Sequence, residues 1–429
     1  MITIDATYSL TTPAFLGGAP AGAGGPCAEF RLASFKGALR FWWRALQGAT
    51  TTDARALHRR EALLFGGADP DVGRSRVRMH LLEPLRPVPL AAGKSVDALL
   101  ARDGGARTRG GPARAAHGAT YLGYGPIRIT SRRERDASMP ERMLTRACLQ
   151  PPLRVPIRLR FDPRPDADAG AETAELVRAL VALGTLGGLG ARSRRGFGSL
   201  ILDRLTVDTG DHADIDRRAW ADWRPPATLD ALSEQIQALY PPAATGGLPE
   251  WTALSARACH LLLLGRQDDD GFALLDRVGC ELVRFRSYGR DGKILAGEKA
   301  KPRFSDDHDL YKAADTKRVT PTTHPRRVVF GLPHNYSKSF QVGPADRDLD
   351  RRASPLLVHI HACAGRPVAV LSFLPARFLP AGRDRLRVGH GRVPLARGDD
   401  LWAPIHEFFA FLRERRELGV DDVREVTTP

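Results

Sequence analysis

Cysteine is scarce in this chain: five residues in 429, Cys27, Cys148, Cys259, Cys280 and Cys363, odd in number and never spaced as C-x-x-C. That argues against a disulfide framework and against a cysteine-based zinc site. Long apolar runs are missing too. The strongest, around His260 to Leu264, is far shorter than a membrane-spanning helix requires. The opening MITIDATYSL lacks the basic segment and apolar stretch of a secretory signal, so a soluble protein of the reducing cytoplasm, with no membrane partner, is expected.

Acidic residues are the minority charge. Asp plus Glu number 49 against 64 Lys plus Arg, a formal net charge of +15. A surplus of that size favours a polyanionic partner, although an arginine-rich composition alone produces the same excess. Hydrophobic residues at 43% and charged residues at 26% are ordinary globular values, and the length suits two domains of roughly 200 residues each.

Strand-like alternation marks Met1–Leu10, Arg74–Leu85, Leu153–Phe161 and Ser199–Val207. Helical patterns mark Ser34–Gln47, with Ser34 as N-cap and Gly48 past the end, then Ala56–Phe65 and Glu172–Leu183, the last stopped by Gly184. Residues 91–125 are dominated by Gly, Ala and Arg and predict a mobile insertion. A connecting region with one helix, Leu229–Leu239, spans 211–250. The second part, 251–429, offers strands at Ala258–Leu264, Arg327–Leu332 and Pro355–Ala362 and a closing helix at Leu401–Leu418. Strands with few helices predict an α+β fold, divided as 1–210, 211–250 and 251–429.

Two segments carry chemistry. In SFKGALRFWWRAL, Lys36, Arg40 and Arg44 recur every four residues and so share one helix face, with Trp43 beside them. Phe35, Leu39, Trp42 and Leu46 form a separate apolar stripe. No carboxylate interrupts Ser34 to Gln47, so the row suits successive phosphates, and Trp43 suits stacking or positioning. The bland alternative is a solvated charged face with a core tryptophan.

The second segment, LGTLGGLGARSRRGFGS, combines six glycines with Arg192, Arg194, Arg195 and Phe197. Its backbone, at Gly188 and Gly190 especially, suits close approach to an anion, and the guanidinium groups suit phosphate. It is not a Walker loop, because no Gly-Lys-Ser/Thr follows. Nor is it a dinucleotide fingerprint, because the glycines follow a helix and precede a strand. A plain structural turn with solvated arginines is the alternative.

The helix FKGALRFWWRAL and the turn LGGLGARSRRGFGS resemble the two signature segments of the RAMP superfamily of CRISPR proteins, most nearly the first RAMP subunit of type III-B Cmr effectors. Gly331-Leu-Pro-His334 followed by Arg351-Arg-Ala-Ser-Pro355 resembles the C-terminal half of that subunit. The resemblance implies two ferredoxin-like, RRM-related domains with antiparallel sheets and a glycine-rich loop. It also implies an RNA-binding, non-catalytic role near the 3′ end of guide RNA that assists target RNA capture, with other RAMP subunits as partners and no cofactor. Lys338, Arg351, Arg352 and Ser354 are then weaker candidates for RNA or subunit contacts. RAMP endoribonucleases process guide precursors, and His58, His117, Tyr121 and Tyr124 are the residues that alternative would recruit. His359 and His361 share one strand face as two metal ligands would, but no third ligand is nearby; no metal site is expected. Asp268–Asp270 and Asp306–Asp307 read as solvated loops.

Overall fold

Ile2, Ile4, Ala6, Tyr8 and Leu10 alternate with Thr3, Asp5 and Ser9, so the first strand has one apolar and one polar face. In the computed structural model this strand, β1, spans Ile2–Leu10. The structure describes residues 1–20, 26–100, 117–130, 139–165, 167–212, 215–218, 220–241, 247–287, 294–295, 298–299, 301, 303–315, 321–336, 340–396, 398–415 and 418–427. After β1 come α1 (Leu32–Gln47), α2 (Ala54–Phe65), β2 (Val77–Leu81), the short α3 (His117–Leu122), β3 (Arg154–Phe161), α4 (Ala169–Leu186) and β4 (Leu200–Asp208). The four strands form an antiparallel sheet in the order β4-β1-β3-β2. Its apolar face packs with α1 and α4, and the Tyr8 hydroxyl donates to the Leu180 carbonyl at 2.9 Å. On its polar face Arg158 donates two 2.6 Å bonds to Asp5.

The second half contributes α5 (Leu229–Ala238), β5 (Cys259–Leu264), α6 (Gly271–Arg286), α7 (Ser305–Asp315), β6 (Leu356–Cys363), β7 (Arg366–Phe373), α8 (Ala403–Glu414) and β8 (Asp422–Thr427). Its antiparallel sheet runs β6-β7-β5-β8. Insertions aside, both halves follow β-α-β-β-α-β. In each, the first strand lies between the fourth and the third, with the second at the far edge. The fold is mixed, with antiparallel sheets throughout the described strands.

The second sheet is covered on both faces. Leu261, Leu263, Ala369 and Leu371 join the core around α6 and α8. Leu262, Leu357, Val368 and Val370 on the other face join the core of the first half, where α4 lies. The glycine-rich turn laces the halves together: the Val358 N–H donates to the Arg194 carbonyl at 3.1 Å, and the Ile360 N–H to Ser199 Oγ at 3.0 Å.

Several expectations need correction. Ser34 is not the cap of α1, which begins at Leu32 after Arg31 and has no side-chain cap; Gly48 does end it. Gly184 lies inside α4 rather than after it. A Cβ there would sit 2.6 Å from Leu202 Cβ, so glycine lets helix and strand touch. Arg327–Leu332 is not a strand. Arg326–Phe330 is a 3₁₀ turn, held where the Asp307 carboxylate accepts the Arg326 and Arg327 N–H groups at 2.6 and 3.0 Å. The closing helix stops at Glu414, and the unforeseen β8 follows; α6 was also unforeseen. Of the Gly/Arg-rich stretch, residues 101–116 lie outside the described residues. Its flanks are packed, not loose: Val96, Leu99, Ala119 and Leu122 are buried in the second core.

Candidate nucleic-acid interface

The cation row of α1 exists but is engaged internally. Glu61 of α2, only 2% exposed, accepts from Arg40 Nε at 2.6 Å and from Arg44. Lys36 Nζ donates to Ser75 Oγ at 2.6 Å, and burial followed by the Arg40 charge lowers its pKa. Trp43 is buried and its Nε1 donates to Glu175 at 3.2 Å. No carboxylate occurs within α1, but Glu61 arrives from the next helix. Lys36, Arg40, Arg44 and Trp43 thus anchor α1 to α2, α4 and the start of β2. Phe41, about 100° around the helix from Arg40, reaches the turn, its ring 5.7 Å beneath the Arg194 guanidinium.

The glycines of the turn serve the protein's own backbone. A Cβ on Gly188 would lie 2.6 Å from the Gly198 carbonyl oxygen, and one on Gly190 (φ +86°) 2.5 Å from that of Phe15. The N–H groups of Leu189, Ala191 and Gly198 donate to the carbonyls of Gly198, Phe15 and Pro13 at 2.8, 3.0 and 2.8 Å. Phe197 is fully buried between Phe15 and Phe272, which removes it as a stacking face. The backbone cradle expected at Gly188 and Gly190 is therefore replaced by a tight structural turn, and its product is the placement of three arginines. Arg192 sits in the left-handed region at φ +66° and is exposed.

Those arginines line a cleft of about 1230 Å³ between the halves. Arg192, Arg194 and Arg195 meet Arg352 and Ser354 there, along with Arg128, Arg286 and the segment Gly331–His334. No Asp or Glu is among the described lining residues. Arg194 Nη2 donates to the Ser354 carbonyl at 3.0 Å and Arg195 Nη2 to the Phe330 carbonyl at 3.1 Å, so both reach across the junction. Burial, then repulsion from Arg352, pushes Arg194 down to about 10; burial, then Arg286, does the same to Arg195. Both remain cations at neutral pH. Tyr124, 74% exposed, and Ile129, 64% exposed, stand on the lining, with Tyr121 held by Arg286. Helix α3, which carries Tyr121, meets α6 at a glycine pair: a Cβ on Gly118 would lie 1.8 Å from the Asp276 carbonyl oxygen. The Asp276 side chain accepts the Ala119 N–H at 2.9 Å.

Of the weaker candidates, Arg352 and Ser354 are in the cleft. Arg351 is exposed beside Asp350 at 3.2 Å, and Lys338 lies outside the described residues. Arg286 and Arg128 were missed; Arg286 sits on the last turn of the unforeseen α6. Among the described residues no group of His, Cys, Asp and Glu is arranged to hold a metal ion. His359 and His361 are buried; His359 Nδ1–H donates to the Gly187 carbonyl at 2.7 Å. The acidic clusters are solvated only in part: Asp268 and Asp306 are exposed, but Asp269 pairs with Arg277 at 2.6 Å, Asp270 caps α6, and Asp307 is buried under Arg327. Among the described residues no helix is long and apolar enough to cross a membrane.

The sequence model of the RAMP superfamily matches residues 7–201, the stretch that holds both α1 and the glycine-rich turn. This segment, a little under half of the chain, is similar to the RAMP superfamily. Solved structures share its overall course. The apo form of Cmr1 from Pyrococcus furiosus is 17% identical, covering 100% of this chain and 99% of that one, with a TM-score of 0.49. A chain of the type III-B Cmr-beta complex, determined bound to cognate target RNA, is 11% identical over 96% of this chain and 99% of that one, with a TM-score of 0.50. No curated protein matches the chain. In this chain the helix and the turn of the matched segment do different work, the first packing the core and the second lining the cleft.

Proposed function

We propose that this protein is a non-catalytic RNA-binding subunit of a type III-B CRISPR effector, built from two ferredoxin-like domains, and that it grips RNA in the cleft between them. In this reading it holds guide RNA near the 3′ end and assists target capture beside other RAMP subunits. Base pairing between guide and target supplies sequence specificity. The observation that carries it is the carboxylate-free lining of arginines with exposed tyrosine beside it, the combination that tracks a ribose-phosphate chain and stacks its bases. The repeated strand order, fourth-first-third-second, supports the domain assignment. The covered inner face of the second sheet directs RNA to the cleft rather than to that sheet.

The endoribonuclease alternative has less support. His58 does not line the cleft, and His117, which does, is held 3.0 Å from Arg142. Burial, then Arg286 and Arg327, keeps His334 neutral, but no carboxylate among the described lining residues orients either imidazole. Filter binding of a single-stranded RNA at several salt concentrations tests the reading. Replacing Arg192 and Arg286 by Gln should weaken binding and flatten the salt slope by about 0.7 per lost phosphate contact. Unchanged affinity and slope would overturn it.

A further inference from the structure

Four arginines at the cleft share one condition. Arg194 Nε, Arg195 Nη1, Arg286 Nε and Arg352 Nε are buried donors with no hydrogen-bond partner. All four residues line the same cavity, and no carboxylate among the described residues lines it with them. The groups are mutually repelling, Arg194 with Arg352 and Arg195 with Arg286. Their neutral hydrogen bonds, Arg194 to Ser354 and Arg195 to Phe330, satisfy donors without neutralising charge. Other arginines of the chain are paired with carboxylates: Arg40 and Arg44 share Glu61, Arg277 has Asp269, and Arg327 has Asp307. An oxygen anion supplies both the missing charge and several of the missing acceptors.

We infer that Arg194, Arg195, Arg286 and Arg352 form a discrete site for a phosphate group, and that its occupant clamps the two halves of the chain together. Two of the arginines belong to the turn of the first half. The other two come from the end of α6 and the approach to β6 in the second. A tetrahedral oxyanion presents several acceptor atoms in different directions, which suits guanidinium groups converging from both sides; chloride offers one diffuse acceptor. The occupant is either a phosphate of a polynucleotide backbone or free phosphate, the chemistry being common to both. The site shares the cleft with the RNA reading but does not depend on it, so the two fail separately.

The test is thermal unfolding of the full chain with inorganic phosphate against sodium chloride at equal ionic strength. Phosphate should raise Tm progressively with the logarithm of its concentration, by about 3 °C at a hundredfold excess over Kd. Arg352→Gln should be at least as stable as wild type in chloride, since one repelling cation is gone, yet lose most of the phosphate response. Equal shifts with phosphate and chloride, or a full phosphate response in Arg352→Gln, would overturn the inference. Arg351→Gln, outside the cleft lining, should keep the full response; loss of it there would mean general surface screening and would also overturn it. Competition against labelled oligouridylate then separates the sources. Displacement by phosphate beyond that by chloride places the polymer's own phosphate in the site, and a Tm response without displacement leaves free phosphate as the occupant.

Discussion

Replacing Glu61 by Gln tests whether the α1 cations serve the fold or the ligand. The carboxylate is buried and accepts charged hydrogen bonds from both Arg40 and Arg44. Each such bond contributes about 1.5–3 kcal/mol net when shielded from water. The arginine side chains, however, are 34% and 39% exposed, so solvent screens much of that and accommodates the charges left behind. A loss of about 2 kcal/mol is expected in total. With a urea m-value of about 3 kcal/mol/M, the unfolding midpoint should fall by about 0.7 M. RNA affinity of the folded variant should stay at the wild-type value, because the freed guanidinium groups are on the α2 side of α1 and not in the cleft. An unchanged midpoint would mean that the pairing contributes nothing. A clear gain in RNA affinity would mean that Arg40 and Arg44 belong to the binding surface after all.

Acid should destabilise the fold steeply. Burial holds His359 down to about 4 and His361 and His260 to about 3, below the ~6.5 of an unfolded histidine. Their contribution is complete above pH ~6.5 and is lost as pH falls toward 4, at about 1.4 kcal/mol per pH unit for each group; urea midpoints at pH 7, 6 and 5 measure this, and His359→Gln should flatten the slope. Arg192→Gly relieves a left-handed non-glycine backbone, so stability should rise by up to about 1 kcal/mol while RNA binding in a filter assay weakens. Gly118→Ala must push α3 off α6, costing about 2–3 kcal/mol in a chemical melt and loosening the tyrosine-bearing wall of the cleft. Gly37→Ala, exposed on α1 with nothing within 4 Å of the added carbon, should instead stabilise by about 0.8 kcal/mol in the same melt.

Elements with clean periodicity were legible: β1, β3, β4, α1 and α4 fall within a few residues of their expected bounds because one face of each is consistently apolar. Element α6 was hidden by its composition, since Asp276 and Glu281 are buried along with Phe272 and Leu275 and blur the stripe. The arginines of the glycine turn were legible as a cluster, but the partner that makes them a cleft, Arg286, is 91 positions further along the chain, and nothing local announces the meeting. The internal pairing of the row on α1 was hidden for a related reason. Counting carboxylates within one helix says nothing about Glu61, which the connection through residues 48–53 folds back against it.

The doubly covered second sheet makes each half the solvent shield of the other. Produced alone, the second half would present Leu262, Leu357, Val368 and Val370 to water, and its simplest relief would be to stick to another copy of itself. Severing the chain between the halves is therefore expected to yield one insoluble piece rather than two working ones, unless both fragments are made together and find each other before they aggregate.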